Sequence, residues 1–295
     1  MLNRRNFLRR SAIGVGAIAA SASAPKWLRA NPYGLPVGLQ VYTVRHELRK
    51  NLVGTLKKVA ATGYQEIELG DFFGKSPAEF VGFMEELGLK APSAHYGFKQ
   101  LGAGWEKAIE NAKTAGLQYM VNSALDDKDR ESLDAFRRAA EVFNKAGEQT
   151  KKAGIQFCYH NHNFEFTRLG DTLGYDLLLK ETDPQFVRFE LDCFWMTHAG
   201  HDPVKYFENH PGRFPLLHIK DLKKGIPPRT AFDTPYGNPF TEVGKGVIDW
   251  KRIFTAAKGG GLEHYFVEQD TCDLPPLESI QISYEYLHKL TVEGT

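Results

Sequence analysis

The sequence predicts a single (β/α)8 barrel, and three observations carry that expectation. Eight short, largely apolar runs recur between residues 37 and 268. Stretches with apolar residues at helical spacing separate them, the order expected of a parallel sheet wrapped by helices. Several runs end in His, Asp or Glu, so parallel strands would carry those side chains to one rim.

Strands are expected at Val37–Tyr42, Glu66–Leu69, Ala91–His95, Tyr119–Asn122, Ile155–His160, Val187–Asp192, Pro215–Ile219 and Tyr265–Glu268. Runs of this kind suit strands covered on both faces. Leu52, Leu56, Val59 and Ala60 repeat at helical spacing after the first strand, and Phe80, Phe83, Met84 and Leu87 after the second. Leu133, Phe136, Ala140 and Phe143 do so ahead of the fifth, and a last helix is expected near Leu277–Leu290. Gly63, Gly88, Gly116 and Gly154 each follow a helical stretch, where a left-handed residue ends a helix. Eight helices are therefore expected with eight strands. The long connection from Lys223 to Val247 is rich in Gly, Pro and Thr and reads as a loop covering substrate.

Residues 1–30 read as an address. Arg4-Arg5-Asn6-Phe7-Leu8 is a twin-arginine pair with a following Phe-Leu, ahead of a weakly apolar stretch from Ala12 to Ala20 and small residues to Ala24. The apolar part is shorter than the roughly 20 residues of a membrane span, so no permanent span is expected. The expected location is the periplasm or another exported site, reached through the twin-arginine machinery, with cleavage after Ala22 or Ala30. Replacing both arginines with lysine is expected to hold the precursor in the cytoplasm; unchanged export would refute the reading. Residues 31–295 form the barrel domain.

Removing residues 1–30 takes six basic and no acidic residues from a chain of 37 Lys+Arg and 36 Asp+Glu, leaving a net charge of −5. An acidic barrel does not suit a phosphate backbone, so no nucleic-acid partner is expected. Cys158, Cys193 and Cys272 are odd in number and give no disulfide framework.

The strand ends hold the chemistry. His160-Asn161-His162 closes the fifth run, Asp192 the sixth, His218 the seventh and Glu268 the eighth. Imidazoles mixed with carboxylates from separate strands are the donors of a divalent-metal site. Each has a plainer reading: Asp192 as a helix cap, His218 as a core histidine, Glu268 as an ion-pair partner of Lys220. Glu68, His95 and Gln40 end strands two, three and one and are candidates to touch substrate, with internal hydrogen bonds the alternative. Trp195 is a candidate to stack on a sugar face. His198 and His201 are weaker candidates.

These segments resemble the xylose isomerase-like TIM barrels, and within them the sugar phosphate isomerases/epimerases. The resemblance is carried by Gly38-Leu39-Gln40-Val41-Tyr42-Thr43-Val44-Arg45, Gly63-Tyr64-Gln65-Glu66-Ile67-Glu68 and Tyr159-His160-Asn161-His162-Asn163-Phe164-Glu165-Phe166. Leu191-Asp192-Cys193-Phe194-Trp195, Leu217-His218-Ile219-Lys220-Asp221, Val243-Gly244-Lys245-Gly246-Val247-Ile248-Asp249-Trp250 and Val267-Glu268-Gln269-Asp270 complete it. It implies a metal held by Glu, Asp, His and Glu from strands five to eight. Asp192, His218 and Glu268 match, whereas His160 stands at the strand-five glutamate. The fourth ligand is open between His160 and His162, with Glu165 able to reach back from the loop. Two imidazoles and two carboxylates suit manganese, zinc, cobalt or iron better than magnesium.

The expected function is isomerisation or epimerisation of a keto-sugar or sugar derivative, by proton abstraction next to a carbonyl and through an enediolate. Glu268 and one of Glu165, His160 or His162 would move the proton, with Lys220 beside them. The alternatives are a lyase, dehydratase or hydrolase acting on a 3-keto-glycoside or inosose, and a non-catalytic sugar-binding barrel. The endonuclease branch of the family fits neither the charge nor the expected export. The partner is a small carbohydrate; whether the chain forms a homo-oligomer is left open.

Overall fold

The structure is a computed structural model that describes residues 31–292; the expected export signal lies outside the described residues. Eight parallel strands close a barrel: β1 (Gly38–Gln40), β2 (Glu66–Leu69), β3 (Lys90–Tyr96), β4 (Tyr119–Asn122), β5 (Gln156–His160), β6 (Val187–Asp192), β7 (Leu216–Ile219) and β8 (His264–Val267). Each strand pairs with its sequence neighbours, and β8 closes on β1.

Three expected strands, Glu66–Leu69, Tyr119–Asn122 and Val187–Asp192, match in full. The first strand is shorter than expected: it stops at Gln40, whose side chain accepts the Tyr42 N–H and turns the chain into a 3-10 segment, Val41–Val44. Glu268 lies one residue past its strand, its N–H donating to the Ile219 carbonyl.

Ten α-helices among the described residues replace the eight expected. Two gaps hold a pair each. After β1, Asn51 closes Arg45–Lys50 and caps Leu52–Thr62. After β6, Asp202 with Pro203 at the first helical position restarts the chain as Pro203–Asn209 behind Cys193–His198. Gly63, Gly88, Gly116 and Gly154 all have positive φ.

Period-two alternation divides the barrel interior into layers. At the N-terminal end Glu66 meets His264. Above them Val121, Cys158, Leu216 and Phe266 form an apolar layer with Tyr119. Gly38 leaves room for that layer, because a Cβ there would stand 2.4 Å from the Phe266 ring. At the C-terminal end the inward positions are polar: Gln40, Glu68, His95, His160, Glu190, Asp192, His218, Lys220 and Glu268. No helix among the described residues is long and apolar enough to cross a membrane.

Candidate metal centre and active site

Register brings the polar residues together. Asp192 and His218 are direct neighbours across β6 and β7, and His160 faces Glu190 across β5 and β6. Asp192 divides its two oxygens. Oδ1 accepts the Trp195 N–H at 2.8 Å as the cap of Cys193–His198, and Oδ2 faces the buried Lys220 ammonium. The cap and ligand readings of Asp192 are thus compatible.

Around Asp192 Oδ2 stand Lys220 Nζ at 2.9 Å, His160 Nε2 at 3.8 Å and His218 Nδ1 at 3.8 Å. His218 Nδ1 is 2.9 Å from Glu268 Oε2, and Lys220 Nζ is 2.5 Å from that oxygen. Asp192, His218 and Glu268 each offer one donor atom within 4.8 Å of the others. Donors about 2.0–2.2 Å from one ion lie within roughly 4.4 Å of each other, and His218 Nδ1, 3.8 Å from Asp192 Oδ2 and 2.9 Å from Glu268 Oε2, meets that limit, so the donor set suits a divalent metal.

The electrostatics follow from burial and crowding. Burial pulls the Lys220 amine down, but Asp192, Asp270 and Glu268 more than offset it and hold it cationic. Burial raises Glu268, and Lys220 and His218 overcome that to keep it ionised. Burial drives His160 and His162 well below the usual histidine range, so both are neutral.

Beneath lies a second group. Glu68 receives Gln40 Nε2 at 2.8 Å, His218 Nε2 at 2.7 Å and the Ser93 hydroxyl, and lies 3.0 Å from His95 Nε2. Glu190 Oε2 is 2.8 Å from His95 Nε2 and 3.0 Å from His160 Nδ1. Burial and the neighbouring Glu68 push Glu190 up to about 7.

Over this floor opens a cavity of about 470 Å³, walled by Gln40, His95, His160, His162, Lys220 and Glu268, with Phe232 at its rim. Phe232 comes from the Lys223–Val247 connection, which Asn163 Nδ2 ties down through the carbonyls of Arg229 and Ala231. It packs against His162, Phe164 and Trp195.

The sequence candidates separate by direction. His162 lines the cavity, and its Nδ1 has no hydrogen-bond partner. Glu165 does not join it: its carboxylate accepts the Tyr159 hydroxyl and the His162 N–H, shaping the loop behind the wall. Glu68 is fully buried below the cavity instead of lining it, and Gln40 is bonded to Glu68 and Tyr42. Trp195 is buried beneath Phe232, with Lys220 Nζ 5.8 Å from its ring centre. His198 stays behind Trp195, and His201 packs on Phe166. Sequence reasoning passed over Glu190 and Asp270; the latter lines the cavity 3.1 Å from Lys220 Nζ.

A closed parallel barrel gathering imidazoles, carboxylates and a lysine at its C-terminal rim defines a class of (β/α)8 proteins with a metal-type centre in the mouth. Within it the chain belongs to the xylose isomerase-like TIM barrel family, an enzyme family whose sequence model matches residues 56–290. A sugar phosphate isomerase/epimerase from Parabacteroides distasonis ATCC 8503 superposes with a TM-score of 0.74 at 28% identity, over 87% of this chain and 96% of that one. The inosose dehydratase of Lacticaseibacillus casei is 24% identical over 261 residues, 79% of this chain and 87% of its own length. The IOLI protein with a bound zinc atom shares the fold, with a TM-score of 0.66 at 16% identity over 85% of this chain and 96% of that one.

Proposed function

We propose that this chain is a metal-dependent enzyme that moves a proton at the carbon next to a carbonyl in a sugar or polyol derivative, giving an isomer or epimer. His162 carries the reading. It is a neutral imidazole on the cavity wall beside the Asp192–His218–Glu268 cluster.

Asp192, His218 and Glu268 would hold the metal, with His160 as the fourth donor; the set suits manganese, zinc, cobalt or iron. When bound, such an ion polarises the carbonyl and stabilises the negative charge that builds up as the proton leaves. His162 takes the proton, because burial keeps its lone pair free at neutral pH. Lys220, held cationic by three carboxylates, sets a fixed positive charge on the cavity wall that favours a negatively charged substrate oxygen. Phe232 limits water at the rim, and Glu165 fixes the backbone that carries His162.

The same first step leads to a dehydratase if a β-hydroxyl then departs. Lys220 favours this second reading, because a fixed cation on the cavity wall can stabilise the charge that builds up on a departing hydroxyl. The inosose dehydratase name of a relative points the same way.

The test is solvent exchange. Ketoses, 3-keto-glycosides and inososes are incubated with the metal-loaded protein in heavy water, and deuterium is sought at one substrate carbon. His162→Gln should slow its uptake by about 10²–10⁴-fold while metal content is unchanged. Turnover with no solvent deuterium in substrate or product would sink the mechanism. Mass loss of one water in the product would select the dehydratase.

A further inference from the structure

We propose that a second divalent ion binds below the first, held by His95, His160, Glu190 and His218. The inference deepens the metal-dependent reading above and is tested separately from it.

The argument starts from crowding. Three imidazole nitrogens converge on one oxygen: His95 Nε2, His160 Nδ1 and His218 Nε2 stand 2.8, 3.0 and 3.1 Å from Glu190 Oε2. The other oxygen of the same carboxylate, Oε1, has no partner, although Glu190 is fully buried. A buried carboxylate satisfied by hydrogen bonds shares its donors between both oxygens, which offer about four lone-pair sites. This one concentrates them on a single atom and leaves the other bare.

The spacing has a simple cause if the atoms are ligands. Nitrogen and oxygen donors about 2.0–2.2 Å from a shared ion lie roughly 3 Å from each other. One atom from each of His95, His160, Glu190 and His218 does lie within 4.8 Å of all the others. The four come from four different strands, β3, β5, β6 and β7, so their Cβ positions are fixed by the barrel and not by a mobile loop. Glu68 backs the set, 3.0 Å from His95 Nε2 and 2.7 Å from His218 Nε2. Three imidazoles and a carboxylate favour zinc or cobalt over magnesium or calcium.

His218 links the two centres. Its Nε2 faces Glu190, and its Nδ1 faces Glu268 and Asp192. With an ion on each side the ring would bridge as an imidazolate, because bound cations favour the deprotonated form of their ligands. His160 is placed in the same way, Nδ1 toward Glu190 and Nε2 toward Asp192.

The experiment is a zinc count on the full chain. Wild-type protein is saturated with zinc, freed of excess by gel filtration and analysed for metal, with anomalous scattering from wild-type crystals as the variant-free check. Two zinc ions per chain are expected, one of them beside His95 and Glu190. His95→Ala and Glu190→Gln should each lose one ion and keep the other. One ion per chain in the wild type would overturn the inference and make Glu190 a group that merely orients the ligands of a single metal. Two ions retained in both variants would overturn it as well. No zinc at all would remove the metal-dependent reading together with this one.

Discussion

Both ends of the barrel interior pair carboxylates with imidazoles, yet the two ends are built on opposite terms. At the N-terminal end Glu66 Oε2 meets His264 Nδ1 at 2.8 Å, and the Tyr119 hydroxyl donates to Glu263 at 2.7 Å. Each of these groups has one clear partner. At the C-terminal end His95, His160 and His218 crowd the oxygens of Glu68, Glu190, Asp192 and Glu268, while Glu190 Oε1 has no hydrogen-bond partner. Pairing that closes on itself stabilises a fold. Crowded imidazoles and carboxylates beneath a cavity, one oxygen of them left without a partner, are what a ligand needs. The difference assigns stability to one end and chemistry to the other, in line with how (β/α)8 barrels divide their faces.

The sharpest way to break that division is at Asp192. Asp192→Asn keeps an oxygen to cap Cys193–His198 but loses the charge that faces His218 and Lys220. Turnover should fall by roughly 10³-fold or more and the mouth ion should be lost. Asp192→Ala should add the cost of a missing cap, about 1 kcal/mol. Metal analysis beside urea unfolding separates the two effects. Full occupancy in both variants would remove Asp192 from the centre.

The second effect is pH dependence of the metal-free protein. Burial lowers His95, but Glu68 and Glu190 outweigh it and raise the imidazole to about 9. The unfolded chain titrates near 6.5, so the native state binds this proton more tightly. The stabilisation is fully present below about pH 6.5 and is lost as pH rises through about 9, on the order of 3 kcal/mol in all. Urea unfolding of chelated protein should show that decline, and metal should suppress it. A flat profile without metal would mean that His95 is neutral throughout.

Much of this was legible in the sequence, for one reason: the period of a strand is two. Apolar runs ending in His160, Asp192, His218 and Glu268 placed those side chains at one rim, and the structure puts them there. The same rule, counted back two residues from Asp192, reaches Glu190, which was missed because only strand ends were read as chemistry. Asp270 follows Glu268 in a loop, where alternation carries no signal. Glu165 shows the reverse: its sequence position was suggestive, but Tyr159 points outward between inward-facing Cys158 and His160, and the carboxylate follows its hydroxyl away from the cavity. The doubled helices escaped notice because Asn51 and Asp202 interrupt stretches whose apolar spacing is continuous.

The smallest effect, and the one that sharpens the comparison most, lies at the N-terminal end. Glu66→Ala and His264→Ala each strand one member of a mostly buried pair, so each should cost about 1–3 kcal/mol in urea unfolding. The double variant should cost less than the two singles added together, because the second change removes a group already left without its partner. Tyr119→Phe, which leaves Glu263 near the surface, should cost less again. None of these variants should change metal content or deuterium exchange, since Val121, Cys158, Leu216 and Phe266 separate this end from the mouth and offer no polar route between them. If Glu66→Ala lowers zinc binding or exchange at a temperature where it stays folded, the apolar layer does not insulate the two ends. The carboxylate–imidazole pairs at the bottom would then have to be counted as part of the active site.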